Sequence, residues 1–256
     1  MKLPVLQPLN HISPTSLNEF KLCEMKFYLK RLAGLAWPTG QQTLAMAVGT
    51  AFDAHVKHEL AKRLNQAENP GYQLERLLSG IESQVRAEAV PYGKKIFLSY
   101  LDIGGVDRLM KEGIAEIELT RKESIITDDE ISPVLYGFPD AIFNDGRILD
   151  FKVSGAASAS GTSPEQGYKA CYRDGINIGP HGRYGEPLEN LNESWASQLA
   201  IYGWLALGMK IPFLPLPVAI EQVAVRNGKY SFASIRTNVS PEFQEKLWEE
   251  VKDAWT

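Results

Sequence analysis

Cysteine is almost absent from this chain, and the two present, Cys23 and Cys171, cannot build a disulfide framework. Nor do they supply the four thiolates that a zinc or iron–sulfur centre made of cysteine alone requires. A reducing, cytoplasmic setting fits that scarcity. Long apolar runs are missing too. The opening MKLPVLQPLN carries Pro4 and no extended hydrophobic core, so it does not read as a signal peptide. The most apolar late stretch, IPFLPLPVAI, is too short to cross a bilayer and is broken by three prolines. There is no internal repeat and no charged tail. Basic charge is not in excess either: 27 Lys and Arg stand against 31 Asp and Glu, a formal net charge of -4. That balance is unlike the surface of a non-specific nucleic-acid binder. It leaves room for a site that gathers carboxylates around a metal while local basic patches track phosphates.

What is present is 256 residues, 44% of them apolar, enough for the buried core of one large domain or two small ones. After Pro14, the residues Leu17, Phe20, Cys23 and Phe27 recur at helical spacing, with Ser13 or Thr15 available as a cap. A second helix is predicted from about Ala45 to Leu64, striped by Phe52, Val56, Leu60 and Leu64, and LERLLSGIESQVRAEA predicts a third that runs up to Pro91. The middle of the chain changes period. GIAEIELT alternates, and PVLYGFPDAIFNDGRILDFKVSG reads as two β-runs around Asn144, Asp145 and Gly146. From Gly155 to about Asn192 a long loop region is expected, rich in Gly, Ser, Pro, Tyr and Asn. ESWASQLAIYGWLALG reads as a largely buried helix, IEQVAVRNGKYSFASIRT as a hairpin turning at Asn227 and Gly228, and the segment from Pro241 as an amphipathic helix.

The central hairpin carries the chemistry. A three-residue loop with Gly146 in the left-handed conformation pairs Phe143 with Arg147 and sets Asp140 opposite Asp150. Period two then puts Lys152 on the same face as Asp150. A two-residue loop of Asp145 and Gly146 is also open to the chain, and it would send the two acids to opposite faces. In the first register, two carboxylates and an ammonium project together from strands that are otherwise apolar. Charges there need pairing or a metal. Two opposed carboxylates suit a hard divalent cation, and a nearby lysine suits water activation and charge compensation in phosphodiester hydrolysis. Taken alone, a D-x-K run is equally served by an ion pair that satisfies itself.

The wider pattern is more specific. GFPD-x(9)-DFK resembles the signature of the PD-(D/E)XK nuclease superfamily, with Pro139 and Asp140 as its first half and Asp150, Phe151 and Lys152 as its second. The flanks resemble the RecB-like branch, which includes CRISPR-adaptation and phage exonucleases. ISPTSLNEFKLCEMKFYLKRL resembles that branch's opening helix, VGTAFDAHVKHEL its G-T-x-x-H motif, and WASQLAIYGWL its Q-x-x-x-Y helix through Gln198 and Tyr202. These matches occur in family order over roughly residues 12 to 207. The resemblance implies an α/β (α+β) fold, a central mixed sheet of restriction-endonuclease-like type flanked by helices, as a single domain over 1–256. Residues 1–110 would be mainly helical, and 111–256 would hold the core sheet and helices.

The same resemblance implies a Mg²⁺- or Mn²⁺-dependent deoxyribonuclease, an exonuclease acting in recombination, repair or phage replication. Asp140, Asp150 and the Phe151 carbonyl would hold metal, Lys152 would act on the water or the transition state, and Gln198 and Tyr202 would position the phosphate or the base. The family histidine position is here Asp53. At about 100° per residue Asp53 falls about 40° from the centre of the buried stripe, whereas His55 lies about 120° away and His58 nearly opposite. Asp53 is therefore expected as the third ligand, and His55 and His58 as a solvated pair. No iron–sulfur cluster is expected, because Cys23 matches the first cluster position but no C-terminal cysteine trio follows; Cys23 is expected in the core.

DNA, single-stranded or at ends, is the implied partner. Lys21, Lys26, Lys30 and Arg31 are candidate contacts on the first helix. Tyr168, Lys169, Tyr172, Arg173, Arg183 and Tyr184 interleave aromatics with cations in the long loop. Glu116 and Glu118 share a strand face expected to meet solvent. No G-x-x-x-x-G-K-[ST] loop is visible, so unwinding would need a helicase or recombination partner. The alternatives are an endonuclease of the same superfamily and an inactive DNA- or partner-binding module on the same fold.

Overall fold

Ser13 opens the first helix by a reciprocal cap: its Oγ accepts the Ser16 N–H at 3.2 Å, and Ser16 Oγ accepts the Ser13 N–H at 2.7 Å. Pro14 follows at N1, where its missing N–H costs nothing. The structure is a computed structural model describing residues 9–35, 41–117, 121–124, 132–154, 172–173, 176–177, 187–226 and 229–256. Helix α1 (Pro14–Leu22) stops at Cys23, which is extended, and α2 (Glu24–Phe27) then leads into a π-turn over Tyr28–Leu32. That break resets the helical phase. Leu17 and Phe27 are buried, but Cys23 is exposed rather than in the core as its spacing suggested.

Helix α3 (Leu44–Arg63) is capped by Thr43, whose hydroxyl accepts the Met46 N–H at 3.2 Å. The expected third helix is divided. A short α4 (Leu74–Leu77) precedes α5 (Ser83–Asp102), which continues through Pro91 instead of ending before it. An interior proline costs about 3 kcal/mol of local helix stability. Packing on α3 outweighs it: at Gly93 the two helices approach so closely that a methyl group would lie 2.5 Å from Ala51 Cβ. After α6 (Gly105–Glu112) come β1 (Ile114–Ile117), β2 (Arg121–Ser124), β3 (Val134–Gly137), β4 (Ala141–Phe143), β5 (Ile148–Ser154), β6 (Tyr172–Arg173) and β7 (Ile176–Asn177). The chain continues with α7 (Glu193–Leu207), β8 (Leu216–Arg226), β9 (Lys229–Val239) and α8 (Pro241–Trp255). The expected late hairpin forms, with Arg226 opposite Lys229.

The main sheet has the order β1–β4–β5–β8–β9. It is mixed: β5 and β8 pair in parallel, their connection carrying α7, while the other neighbours are antiparallel. This is the mixed α/β architecture that the resemblance implied. β2 and β3 form a separate ribbon, and the segment before α1 joins β3 through Ile12 N–H to the Val134 carbonyl at 2.7 Å. Strand alternation sorts the core. Leu149, Phe151, Val223 and Phe232 pack with α3, α5 and α6, whereas Ile148, Val218, Ile220 and Ile235 pack with α7 and α8. Among the described residues no helix is long and apolar enough to cross a membrane.

One polar network pins the first of these layers to the sheet. Glu221, 1% exposed, accepts from Tyr100 Oη, Arg108 Nη2 and Ser234 Oγ on one oxygen and from Arg236 on the other. Arg236 also reaches Glu112, which in turn binds Arg147 of the central hairpin. A buried carboxylate is tolerable here because both oxygens are satisfied.

Candidate active site

The loop between β4 and β5 is the three-residue one. Gly146 sits at φ 84°, the Phe143 N–H donates to the Arg147 carbonyl at 3.0 Å, and Ala141 pairs with Leu149. Counting one pair further sets Asp140 opposite Asp150. Asp140 stands just before β4, where its side chain continues the ladder: Oδ2 accepts the Phe151 N–H at 2.8 Å. Its other oxygen lies 2.8 Å from Lys57 Nζ of α3.

Asp150 and Lys152 project from β5 towards α7. Lys152 Nζ lies 2.7 Å from Asp150 Oδ2 and donates to Gln198 Oε1 at 2.6 Å. The Gln198 amide donates in turn to Asp150 Oδ1 at 3.1 Å and to Tyr202 Oη at 3.0 Å. Both amide hydrogens and the carbonyl are therefore engaged, which fixes the amide orientation. Helical spacing places Trp195 beside this group, its ring centroid 5.9 Å from Lys152 Nζ. Gly137 makes room for Tyr202: a Cβ there would lie 2.7 Å from the tyrosine ring. The glycine of GFPD is thus a close-approach residue.

Burial sets the electrostatics. Asp150 is 3% exposed, and desolvation pushes its carboxyl up to about 6, with the Asp140 charge adding to the shift while Lys152 and Lys57 oppose it. The Tyr202 hydroxyl is pushed upward chiefly by burial; Gln198's hydrogen bond opposes, and the Asp150 and Asp140 charges reinforce. Tyr202 is therefore a neutral hydroxyl at ordinary pH.

The oxygen donors of Asp140, Asp150 and the main chain suit a hard divalent cation. Asp150 Oδ2 is buried with the Lys152 ammonium 2.7 Å away, so a positive charge already stands at that oxygen. By donor type, the residues fit such an ion. The three-acid set of Asp53, Asp140 and Asp150 is nevertheless not assembled as one: among the described residues, no three His, Cys, Asp or Glu side chains converge closely enough to hold a metal. Lys57, 4% exposed, stands between two of these acids, its ammonium 2.7 Å from Asp53 Oδ2 and 2.8 Å from Asp140 Oδ1. Sequence reasoning missed Lys57. Its signal was only partial: it lies four residues after Asp53, at the edge of the buried stripe.

Several other expectations need correction. His55 is 7% exposed and stacks on Phe97 with centroids 5.5 Å apart, and burial, then the charges of Lys94, His58 and Lys62, lowers its basicity. His58 is half-buried, with Nδ1 2.8 Å from the Tyr72 carbonyl oxygen. The two are not a solvated pair, because α5 and the segment before α4 cover that side of α3. The basic edge of the first helices is largely neutralised. Lys21 bridges Glu193 and Glu250, and Lys30 and Arg31 both bind Glu19, while Lys26 is half-buried. Tyr172 and Arg173 lie on β6, but their side chains are outside the described residues, as are Tyr168, Lys169, Cys171, Arg183 and Tyr184. Glu116 is exposed, as expected; Glu118 lies outside the described residues.

Comparison with known proteins identifies the family. The model of the PD-(D/E)XK nuclease superfamily matches residues 11–174, more than half of the chain and inclusive of the hairpin acids and Lys152. The chain belongs to the PD-(D/E)XK nuclease superfamily, whose members are nucleases that act on DNA and typically use divalent metals. Among solved structures, "Crystal structure of SSO0001" is similar over 94% of this chain and 84% of that one, at 12% identity and a TM-score of 0.30, a likeness too low to carry an argument. No curated protein matches.

Proposed function

We propose that this protein is a Mg²⁺- or Mn²⁺-dependent deoxyribonuclease of the RecB-like branch, an exonuclease working from DNA ends in recombination, repair or phage replication. The observation that carries the reading is the joined set of Asp150, Lys152, Gln198 and Tyr202 across β5 and α7, with Asp140 held next to it on the Phe151 N–H. The RecB-like assignment is supported by the Gln198 and Tyr202 pair and by the order of the flanking motifs.

Asp140, Asp150 and the Phe151 carbonyl are the proposed metal ligands, with Asp53 beside them. A divalent cation bound there supplies Lewis-acid polarisation of the phosphate and a more acidic water. Lys152 holds its ammonium where it can orient the attacking water and offset the charge that develops on phosphorus. Hydrolysis forms a new phosphorus–oxygen bond to water and breaks the one to the leaving sugar oxygen. Gln198 keeps Lys152 and Asp150 in register, and the neutral Tyr202 hydroxyl braces the amide. Unwinding of duplex DNA is assigned to a helicase or recombination partner in the cytoplasm.

Digestion of linear and circular single-stranded DNA with Mg²⁺ and with Mn²⁺ tests the proposal. Loss of the linear substrate alone supports an exonuclease, and cutting of the circle makes it an endonuclease. Retention without cutting makes it a binding module, a reading favoured by the missing family histidine, the acidic net charge and the lysine that already occupies the Asp53–Asp140 pair. Wild-type activity in both Asp150→Ala and Lys152→Ala would move the site elsewhere.

A further inference from the structure

Lys57 is a cation on which two acids from separate elements converge. Its side chain is 6% exposed, and a charge so enclosed is costly unless it is paired. The pairing is two-sided: 2.7 Å to Asp53 Oδ2 within α3, and 2.8 Å to Asp140 Oδ1 from the hairpin. Two carboxylates directed at one point is the arrangement that binds a cation, and here the ammonium fills it. The point belongs to the reaction centre, because the same Asp140 side chain holds the Phe151 N–H, next to Asp150.

The charge balance follows. Among the described residues, the three carboxylates of Asp53, Asp140 and Asp150 face the two ammonium groups of Lys57 and Lys152. Only one negative charge is left over when the acids are ionised. Lys152 suffices to compensate the transition state, so a second buried lysine calls for a different role.

We propose that Lys57 is a resident counter-cation that competes with the divalent metal for Asp53 and Asp140. It holds the two acids together when metal is absent, and it must leave at least one of them when metal binds. Lys57 is thus a positioning residue that sets metal affinity. The inference builds on the metal-dependent reading above.

The test is Mn²⁺ binding to the full chain without DNA, followed by calorimetry and by the Mn²⁺ spin-resonance signal. Lys57→Met removes the charge and keeps much of the side-chain volume. It is expected to bind Mn²⁺ about tenfold or more tightly than the wild type at unchanged stoichiometry, as follows from deleting a like charge a few ångströms from the ion. Lys57→Arg, which keeps the charge, is expected to stay near the wild-type affinity. The metal-free Lys57→Met protein should also melt at a lower temperature, and saturating Mn²⁺ should raise its melting point by more than it raises that of the wild type. If Lys57→Met does not fold, Lys57→Gln gives the same comparison with a polar neutral side chain.

Unchanged affinity in the neutral variants, or weaker binding, overturns the proposal while the metal-dependent reading stands. Absence of Mn²⁺ binding in the wild type and in every variant, at concentrations that saturate ordinary Mn²⁺ proteins, overturns both.

Discussion

Asp150→Asn should stabilise the metal-free protein, and by an amount that depends on pH. The carboxyl is buried, and its value is raised from 3.8 in the ordinary state to about 6 in the folded one. The folded state therefore holds this proton more tightly than the unfolded state does. The stability contributed by the residue is complete below the unfolded value of 3.8 and is lost as pH rises through the folded value of about 6. The loss grows between those two values and levels off above pH 7 on the order of a few kcal/mol. Asparagine mimics the protonated acid and keeps an acceptor near Lys152 and Gln198, so the variant avoids that loss. Urea unfolding in the presence of a chelator, at intervals from pH 5 to pH 8, measures it. The gap between Asp150→Asn and wild type should widen with pH and level off near neutrality. A gap that does not change with pH, or an asparagine variant less stable than wild type at pH 8, would refute the reasoning.

Other perturbations separate catalysis from architecture. Lys152→Ala should lower nuclease turnover by about 10²- to 10⁴-fold, measured by release of acid-soluble nucleotides, while the far-ultraviolet circular dichroism stays that of the wild type. Glu221→Ala strips the acceptor from Tyr100, Arg108, Ser234 and Arg236 and should cost about 3–5 kcal/mol in urea unfolding. Gly137→Ala drives a methyl into the Tyr202 ring, so a loss of about 1–3 kcal/mol is expected, along with reduced turnover through the displaced Gln198. Ser13→Ala breaks the reciprocal cap of α1 and should cost about 1 kcal/mol, with turnover at saturating metal unchanged.

The sequence by itself determined the features that depend on near neighbours. Asn144, Asp145 and Gly146 set a tight turn, and period two carried Asp150 and Lys152 to a common side. Spacing of four joined Gln198 to Tyr202, and the stripe of α3 placed Asp53 inward beside the hairpin. The choice between the two hairpin loops stayed open until the strands were paired. Only the tertiary structure decided which charges find partners. Glu19, Glu193 and Glu250 neutralise the cations at Lys21, Lys30 and Arg31, and two of those acids belong to α7 and α8. The angle of His55 on the helix points it away from the buried stripe, yet α5 supplies Phe97 to cover it. The same close packing of α5 on α3 carries a helix through Pro91. Lys57 shows the division most clearly: the helical period puts it only at the edge of the inward stripe, and its burial and ion pairing were decided by the packing that brings Asp140 from the hairpin. Local geometry follows from backbone sterics and periodicity, which act over a few residues. Burial and ion pairing depend on segments far apart in the chain, whose meeting no local pattern encodes.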